Sequence, residues 1–255
     1  MPDGAYWQDL TTTEIDACDR RIAVCVLPVA AIEQHGPHLP LATDALINRG
    51  IVAEALRVGS HAATLLALPA LEIGHSIEHT NFAGTLSLDA VTVLETWCTI
   101  ARNVHAAGFD KIVIFNSHGG QKAIVDLAAV RLRQELGMRV ARASYFSFGM
   151  PSGLFDAEEI RLGIHGGEVE TSLMLALAPE LVRSAQLRDF RYRDERRARD
   201  DVLSYEKPTG IGWLSEDLNP AGVVGNAARA DAARGRRYLE FLGQRLVAVC
   251  EAMLE

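Results

Sequence analysis

The chain has 255 residues, of which 49% are hydrophobic and 23% charged, so it can bury a sizeable core and does not have the composition of a disordered protein. Its formal net charge of -8 argues against a general affinity for nucleic acid, which needs a basic surface. No apolar run is long enough to span a bilayer, and Met1–Leu10 lacks the pattern of a signal peptide, so we expect a cytoplasmic protein without a membrane partner.

Short apolar runs alternate with longer segments of helical spacing along the chain. The runs predict strands at Ile22–Val29, Ala62–Leu68, Lys111–Phe115 and Met138–Phe146. The helical spacing predicts helices at Asp44–Val58, Leu88–Ala107, Gly120–Leu136, Gly167–Leu177 and Ala230–Leu254. This alternation predicts an α/β fold in which parallel strands carry helices on both faces. No linker divides the chain, so we expect one domain over residues 1–255.

Three features outside these elements have simple interpretations. Cys18, Cys25, Cys98 and Cys250 show no Cys-x-x-Cys spacing, which favours reduced thiols over disulfides or metal ligation. The charge-dense segment Arg188–Asp201 is expected to be a solvated surface or a subunit contact. The glycines and prolines of Ser204–Asn226 predict an irregular loop near the functional face.

The segment from Glu33 to Asp44 is the most informative about function. It places Glu33, His35, His38 and Asp44 within twelve residues, directly after the first predicted strand. Carboxylate oxygen and imidazole nitrogen are ligands for divalent metals such as zinc or manganese. Open α/β sheets bind ligands at such strand ends. Taken alone, the segment is equally compatible with a polar turn whose histidines are satisfied by hydrogen bonds.

Three further polar segments also lie near the ends of predicted elements. They are Asn116–Gln121, His165–Thr171 and Gly74–His79. Each one alone could be a helix cap or a turn. Together with the first segment they suit hydrolysis at two metals, where a bridging water becomes hydroxide and attacks a polarised carbonyl. A nearby histidine can then return the proton to the leaving nitrogen.

Other catalytic classes have less support from the sequence. No serine lies in a Gly-x-Ser-x-Gly turn, and no cysteine adjoins the four polar segments, so covalent catalysis is disfavoured. The chain also lacks the Gly-x-Gly-x-x-Gly and Gly-x-x-x-x-Gly-Lys patterns of nucleotide-binding loops.

The four segments resemble those of the creatininase (creatinine amidohydrolase) family. The matching residues are Glu-Gln-His-Gly-Pro-His-Leu-Pro from Glu33, Gly-x-Ser-x-Glu-His at 74–79 with Phe-Ala-Gly-Thr after it, Asn-Ser-His-Gly-Gly from Asn116, and His-Gly-Gly-Glu-Val-Glu-Thr from His165. The resemblance implies a three-layer α/β/α hydrolase that holds two divalent ions, with zinc, manganese and iron as the candidate metals. It also implies a homo-oligomer, often a hexamer.

The resemblance assigns ligands to both metals. Glu33 and His118 match ligands of one metal, His35 matches a ligand of the other, and Asp44 matches the carboxylate that bridges them. Creatininases take a further glutamate from the position that is Gly120 in this chain. We therefore expect the neighbouring Glu168 to supply the missing carboxylate.

Two more residues receive catalytic roles from the same resemblance. His165 matches the family's catalytic histidine, and we expect Glu170 to orient a ligand or a histidine. The positions expected to contact a small-molecule substrate are Ser76, Glu78, His79, Gly119 and Arg161.

The residues around the expected site depart from those of true creatininases. Gly119 stands at a tyrosine position and Arg161 at a tryptophan position. The resemblance therefore implies an amidohydrolase acting on the C–N bond of a small cyclic amide, lactam or formamide other than creatinine. Two alternatives remain: a peptidase of mycofactocin-type peptide maturation, and a catalytically silent metal-binding scaffold.

Overall fold

A five-stranded parallel sheet forms the centre of the computed structural model, which describes residues 4–206 and 209–255. The strand order is β1-β3-β2-β4-β5. The bounds are Gly4–Tyr6 (β1), Ala23–Val29 (β2), Thr64–Ala67 (β3), Lys111–Asn116 (β4) and Arg139–Ser144 (β5). All pairings in this sheet are parallel, as the alternation of strands and helices predicts.

The helices cover both faces of the sheet. They are Thr12–Ala17 (α1), Thr43–Val58 (α2), Ala90–Ala106 (α3), Lys122–Leu136 (α4), Ala157–Leu162 (α5), Glu168–Leu177 (α6), Glu195–Ala198 (α7), Ser215–Leu218 (α8) and Ala232–Ala252 (α9). A short antiparallel pair joins Asp189–Phe190 (β6) to Gly225–Asn226 (β7). Among the described residues, no helix is both long enough and apolar enough to cross a membrane.

The alternation of side chains along β2 explains the three layers. Val24 and Val26 pack into a core with helices α2, α6 and α9. Cys25 and Leu27 lie in a second core with α3 and α4. Because successive strand residues point to opposite faces, an entirely apolar strand is required when both faces are covered. Every residue of β2 is buried, which fits this position at the centre of the sheet.

The predicted elements are all present, with ends that differ by up to two residues. Helix α3 has Asp89 as its N-cap, which accepts a hydrogen bond from the backbone N–H of Thr92. The expected helix from Gly120 begins at Lys122 because Gly119–Gln121 form a 3-10 turn. The short elements β1, α1, α5, α7 and α8 were not predicted, and their lengths of three to six residues give little periodic signal.

The segment Arg188–Asp201 is not solely a solvated surface. It contains β6, whose Phe190 is buried with Val223 and Ala227 in a small third core. The predicted domain over 1–255 includes residues 1–3 and 207–208, which lie outside the described part of the chain.

Candidate metal centre

Carboxylates and imidazoles converge at the carboxyl ends of β2 and β4. These neighbouring strands end at Val29 and Asn116, so the loops that follow them lie side by side. The first loop carries Glu33 and His35, and the second carries His118. Because the strands are parallel, residues far apart in sequence meet at this edge, which is where such sheets place ligands.

The backbone of the first loop aims the side chain of His35 at Asp44. Gly36 adopts φ +66, and a Cβ there would lie 2.6 Å from a methyl carbon of Val223, so glycine is required at this turn. The Nδ1 atom of His35 lies 3.1 Å from the carbonyl oxygen of Glu33, which can only accept. Nδ1 therefore carries a proton, and Nε2 is the nitrogen that faces Asp44, where it can bind either a cation or a second proton.

The two carboxylate oxygens of Asp44 face different histidines. Its Oδ2 atom lies 3.3 Å from Nδ1 of His118, and its Oδ1 atom lies 3.4 Å from Nε2 of His35. On the first side, His118 Nδ1 is also 3.1 Å from Oε2 of Glu33. On the second side, His35 Nε2 is 3.8 Å from Oε2 of Glu170. Asp44 thus lies between two groups of potential ligands.

Burial makes these polar atoms costly unless they have a partner. Glu33, His35, Asp44 and His118 are all at most 2% exposed. His35 Nε2 and Asp44 Oδ2 lie without a hydrogen-bond partner in the described structure. Unpaired buried polar atoms are rare in folded proteins. Their position among carboxylates and imidazoles fits divalent cations, because these atoms are all metal-ligand types.

The pKa shifts of the buried residues in the cluster also favour the binding of positive charge. Burial raises the pKa of the Glu33 carboxyl to about 7, although His118 counteracts it. Burial would also raise the pKa of Asp44, but His35 and His118 hold it below its usual range. Burial opposes the charge on His35, yet Asp44 raises the pKa of that imidazole to about 9. The carboxylates therefore attract positive charge into a buried volume.

The structure does not bring Glu168 to this cluster, contrary to our expectation for the missing carboxylate. Glu168 is fully buried, and its carboxylate forms an ion pair with Arg234. The other oxygen lies 3.8 Å from Nε of Arg229. The guanidinium of Arg234 holds Glu168 on the side of α9, so this carboxylate stabilises the start of α6 against α9 and does not face the cluster.

Glu170 reaches the cluster in its place. Its Oε1 atom accepts a hydrogen bond of 3.1 Å from the hydroxyl of Tyr145, and Oε2 accepts one of 2.7 Å from the backbone N–H of Gly166. These bonds hold Oε2 on the side of His35. The carboxylate was predicted to orient other groups, but its position also suits a metal ligand.

His165 lies beside the cluster with one nitrogen occupied. Its Nε2 atom is 2.8 Å from the main-chain carbonyl oxygen of Gln34, and its Nδ1 atom is 3.7 Å from Oε1 of Glu33. Burial, followed by the nearby His35 and His79, holds the pKa of His165 well below its usual range. The imidazole is therefore neutral near pH 7, with Nδ1 available to accept a proton.

Gln34 connects this histidine to the rest of the site and was not singled out by the sequence. Its side-chain amide nitrogen lies 2.8 Å from Nδ1 of His79 and donates to the carbonyl of Gly222 at 2.6 Å. Ser215 also hydrogen-bonds to Nδ1 of His79 and donates to the carbonyl oxygen of Glu78 at 2.9 Å. The loop predicted at Ser204–Asn226 is thus attached to the functional face.

The residues expected to contact substrate lie in two different settings. Ser76 is buried and donates to Oε2 of Glu33, and His79 Nε2 lies 3.4 Å from Oε1 of Glu33. Glu78, His79, Gly119 and Arg161 line the open cavity above the cluster, whereas Ser76 does not. His38 is directed away from the cluster, because its Nε2 atom lies 2.9 Å from the carbonyl oxygen of Gly166.

The cavity above the cluster has a volume of about 890 Å³. Its lining includes Glu33, Asp44 and His165 of the cluster, together with Tyr192 and Trp213. This volume is near the upper end of those of small-molecule sites. The cluster is therefore accessible to a substrate, and the cavity has room beyond the groups nearest the cluster.

Comparisons with known proteins agree with this geometry. The family model described as creatininase (creatinine amidohydrolase) matches residues 8–250. The chain belongs to the creatininase family. A mycofactocin precursor peptide peptidase from Mycobacterium tuberculosis is 33% identical over 220 residues, covering 83% of this chain and 78% of the relative. A creatinine amidohydrolase from Pseudomonas putida is 32% identical over 262 residues, covering 94% of each chain.

A solved structure of a mutant creatininase of Zn-Zn type has the same fold. It is 26% identical with a TM-score of 0.76, and the similarity covers 96% of both chains. This confirms the prediction of a creatininase-like α/β domain. The chain is accordingly a hydrolase of the creatininase family, and its histidine–carboxylate clusters support divalent metal binding.

The creatininase-family motifs identify some residues of the site, but the roles of Tyr145 and Gln34 are visible only in the packing. Tyr145 is buried and lies just past β5, where its hydroxyl meets Glu170. One signal could have found it, because β5 lies beside β4 in the sheet and ends at the same edge. Gln34 lies inside the family motif, but its three partners come from distant segments and no spacing predicts them.

Proposed function

We propose that this creatininase-family enzyme hydrolyses a C–N amide bond at a pair of divalent metal ions. The observation that carries the proposal is the placement of Asp44, whose two buried oxygens face separate histidines at 3.3 and 3.4 Å. A carboxylate in that position would be shared between two cations, which would supply an activated water and polarise a carbonyl.

Five side chains would hold the ions. Glu33 and His118 would bind one, His35 and Glu170 the other, and Asp44 would bridge them. Four of these are the predicted ligands, and Glu170 takes the role that we had given to Glu168. Zinc and manganese both accept imidazole and carboxylate ligands, and iron does so as well.

The protein's own residues move the proton. Ions bound at the cluster would lower the pKa of a coordinated water and polarise the substrate carbonyl. Nδ1 of His165 lies 3.7 Å from Oε1 of Glu33, one of the groups that would hold the ions. It accepts the proton as the water oxygen adds to the carbonyl carbon, and it returns the proton to the nitrogen as the C–N bond breaks.

The main-chain carbonyl of Gln34 keeps His165 in the required tautomer. Because that oxygen accepts a hydrogen bond of 2.8 Å from Nε2–H, Nδ1 remains free for proton transfer in each cycle. The depressed pKa of His165 keeps the ring unprotonated at neutral pH before the reaction, and the protonated imidazole is then a strong acid toward the leaving nitrogen.

We infer that the substrate is a small cyclic amide, lactam or formamide. The similarity to the creatinine amidohydrolase, which covers 94% of both chains, supports this class. Gly119 has open space around it where the resemblance places a tyrosine in creatininases, so the wall next to the cluster is incomplete for a flat ring such as creatinine. Arg161 on the cavity wall suits an anionic group of the substrate.

A second candidate is a peptidase, and the cavity volume of about 890 Å³ favours it. That volume would hold a short peptide beyond the cleaved bond. The mycofactocin precursor peptide peptidase is as similar to this chain as the creatinine amidohydrolase is, at 33% and 32% identity.

One experiment tests the proposal and separates the two candidates. Zinc- or manganese-loaded protein is assayed with cyclic amides, lactams and formamides, and in parallel with short peptides. Metal-dependent release of amine or opening of a ring supports the amidohydrolase, while cleavage confined to peptides supports the peptidase. Protein that binds two metal equivalents and hydrolyses none of these substrates would contradict the proposed function and favour a silent scaffold.

A further inference from the structure

The space beside Gly120 is filled by the carboxylate of Glu78. A Cβ atom at position 120 would lie 1.8 Å from Oε1 of Glu78 and 2.7 Å from Nε2 of His118. Such contacts are not possible without movement of the neighbours. A side chain at position 120 and the observed position of Glu78 therefore exclude each other.

Glu78 contacts His118 on the side away from the other carboxylates. Its Oε1 atom lies 3.3 Å from Nε2 of His118, and the carbonyl oxygen of His75 lies 2.9 Å from the same nitrogen. Both of these oxygens accept, so Nε2 carries the proton. In the neutral ring Nδ1 is then the nitrogen with the lone pair, and it faces Glu33 and Asp44 at 3.1 and 3.3 Å, where a bound cation would replace the proton that these carboxylates attract.

We infer that Glu78 is a positioning residue for His118 in the proposed metal centre. Together with the His75 carbonyl it keeps the proton on Nε2, so that the neutral ring offers Nδ1 to a cation, and its negative charge increases the basicity of that nitrogen. The side chain of Glu78 is only 12% exposed, so solvent weakens this interaction little. Gly120 is the residue that makes room for it.

This inference rests on the proposed function and differs from a substrate-binding role for Glu78. The side chain does line the cavity, so a contact with substrate is the alternative. A substrate contact would affect KM and leave the affinity for metal unchanged. A positioning role changes the affinity for metal in the absence of any substrate.

Zinc affinity of the full-length protein is therefore the appropriate measurement, by competition with a chromophoric chelator. Loss of such an outer partner of a metal-bound histidine costs about 10–100-fold in affinity. We expect Glu78→Ala to weaken one of two zinc sites about 10-fold, because the His75 carbonyl still holds the tautomer. Glu78→Gln keeps an acceptor oxygen for Nε2 and should recover part of the loss.

Two glycine variants provide a matched pair for the same assay. Gly120→Ala should displace Glu78 from His118 and weaken the same site. Gly119→Ala is the control for zinc affinity, because a Cβ there meets no atom within 4 Å. Thermal unfolding of the metal-free proteins shows whether each variant is folded.

The outcomes separate this inference from the function on which it rests. Folded Glu78→Ala protein that binds both zinc ions with wild-type affinity would overturn the positioning role and leave the metal centre intact. Wild-type protein that binds no zinc or manganese would overturn both. Selective weakening of one site in Glu78→Ala, with partial recovery in Glu78→Gln, supports the inference.

Discussion

Glu168 and Glu170 are separated by one residue on α6, yet their carboxylates lie in different environments. Glu168 pairs with Arg234, whereas Oε2 of Glu170 lies 3.8 Å from Nε2 of His35. Residues two apart on a helix point about 200° away from each other, so only one of them can face the cluster. The rotation of α6 about its own axis determines which of the two glutamates faces the cluster.

This arrangement predicts different consequences for the two glutamates. Glu170→Gln should reduce bound zinc from two equivalents to one, because an amide is a poor ligand for zinc. Metal content after dialysis, measured by inductively coupled plasma mass spectrometry, checks this. Glu168→Gln serves as the matched variant and should retain both ions. It should lose about 1–3 kcal/mol of unfolding free energy, since two guanidinium groups lose their partner. The reverse pattern would restore Glu168 as the ligand.

The role of His165 predicts a separation of catalysis from metal binding. His165→Asn should keep two metal equivalents and lose about 10²–10⁴ in kcat, the usual cost of a positioned acid–base group. Steady-state kinetics on the best substrate, with metal content from the same preparation, provides the test. A variant that turns over normally but unfolds at a lower temperature would show that His165 only packs against His35 and His79.

Substrate preference follows from the open wall near Gly119 and from Arg161. We expect creatinine to be a poor substrate, with kcat/KM at least about 10-fold below that of the best amide tested, since one methylene-sized contact is already worth about that factor. Arg161→Ala should raise KM for substrates that carry a carboxylate and leave KM for neutral ones unchanged. Creatinine turnover equal to that of the best substrate would contradict the account.

His38 predicts a specific loss of stability in acid. Burial lowers the pKa of this imidazole to about 4, although the carbonyl of Gly166 opposes the shift. In the unfolded chain the pKa is about 6.5. The neutral ring therefore stabilises the fold fully above pH 6.5, and this contribution is lost as the pH falls from about 6.5 to 4.

Urea unfolding of metal-free protein at pH 7 and pH 4.5 measures this effect. His38→Gln retains a donor for the Gly166 carbonyl but cannot be protonated. Between pH 7 and pH 4.5, the wild type should therefore lose about 2–3 kcal/mol more unfolding free energy than His38→Gln does. His61→Gln, at an exposed position, is the control and should behave as the wild type. Identical pH dependence of wild type and His38→Gln would disprove the assignment.

The sequence predicted four of the five strands of the sheet and most of the residues that meet in the cluster, because these depend on local patterns and on the family motifs. The apolar run of β2 and the ligand types after it are readable without a structure, and the strand end places Glu33 and His35 correctly. The choice between Glu168 and Glu170 was not readable, because Arg234 lies 66 residues away on another helix. The packing of Glu78 against Gly120 also depends on a contact between separate loops.

A crystal structure of zinc-loaded protein, with anomalous scattering recorded at the zinc edge, tests the central claim most directly. The account predicts two anomalous peaks about 3.5–4 Å apart, both bound by Asp44. Each peak should lie within about 2.2 Å of an Asp44 carboxylate oxygen, either the same oxygen or one oxygen for each ion. His118 and Glu33 should bind one ion, and His35 and Glu170 the other. A single peak, or two peaks with Asp44 bound to neither, would contradict it.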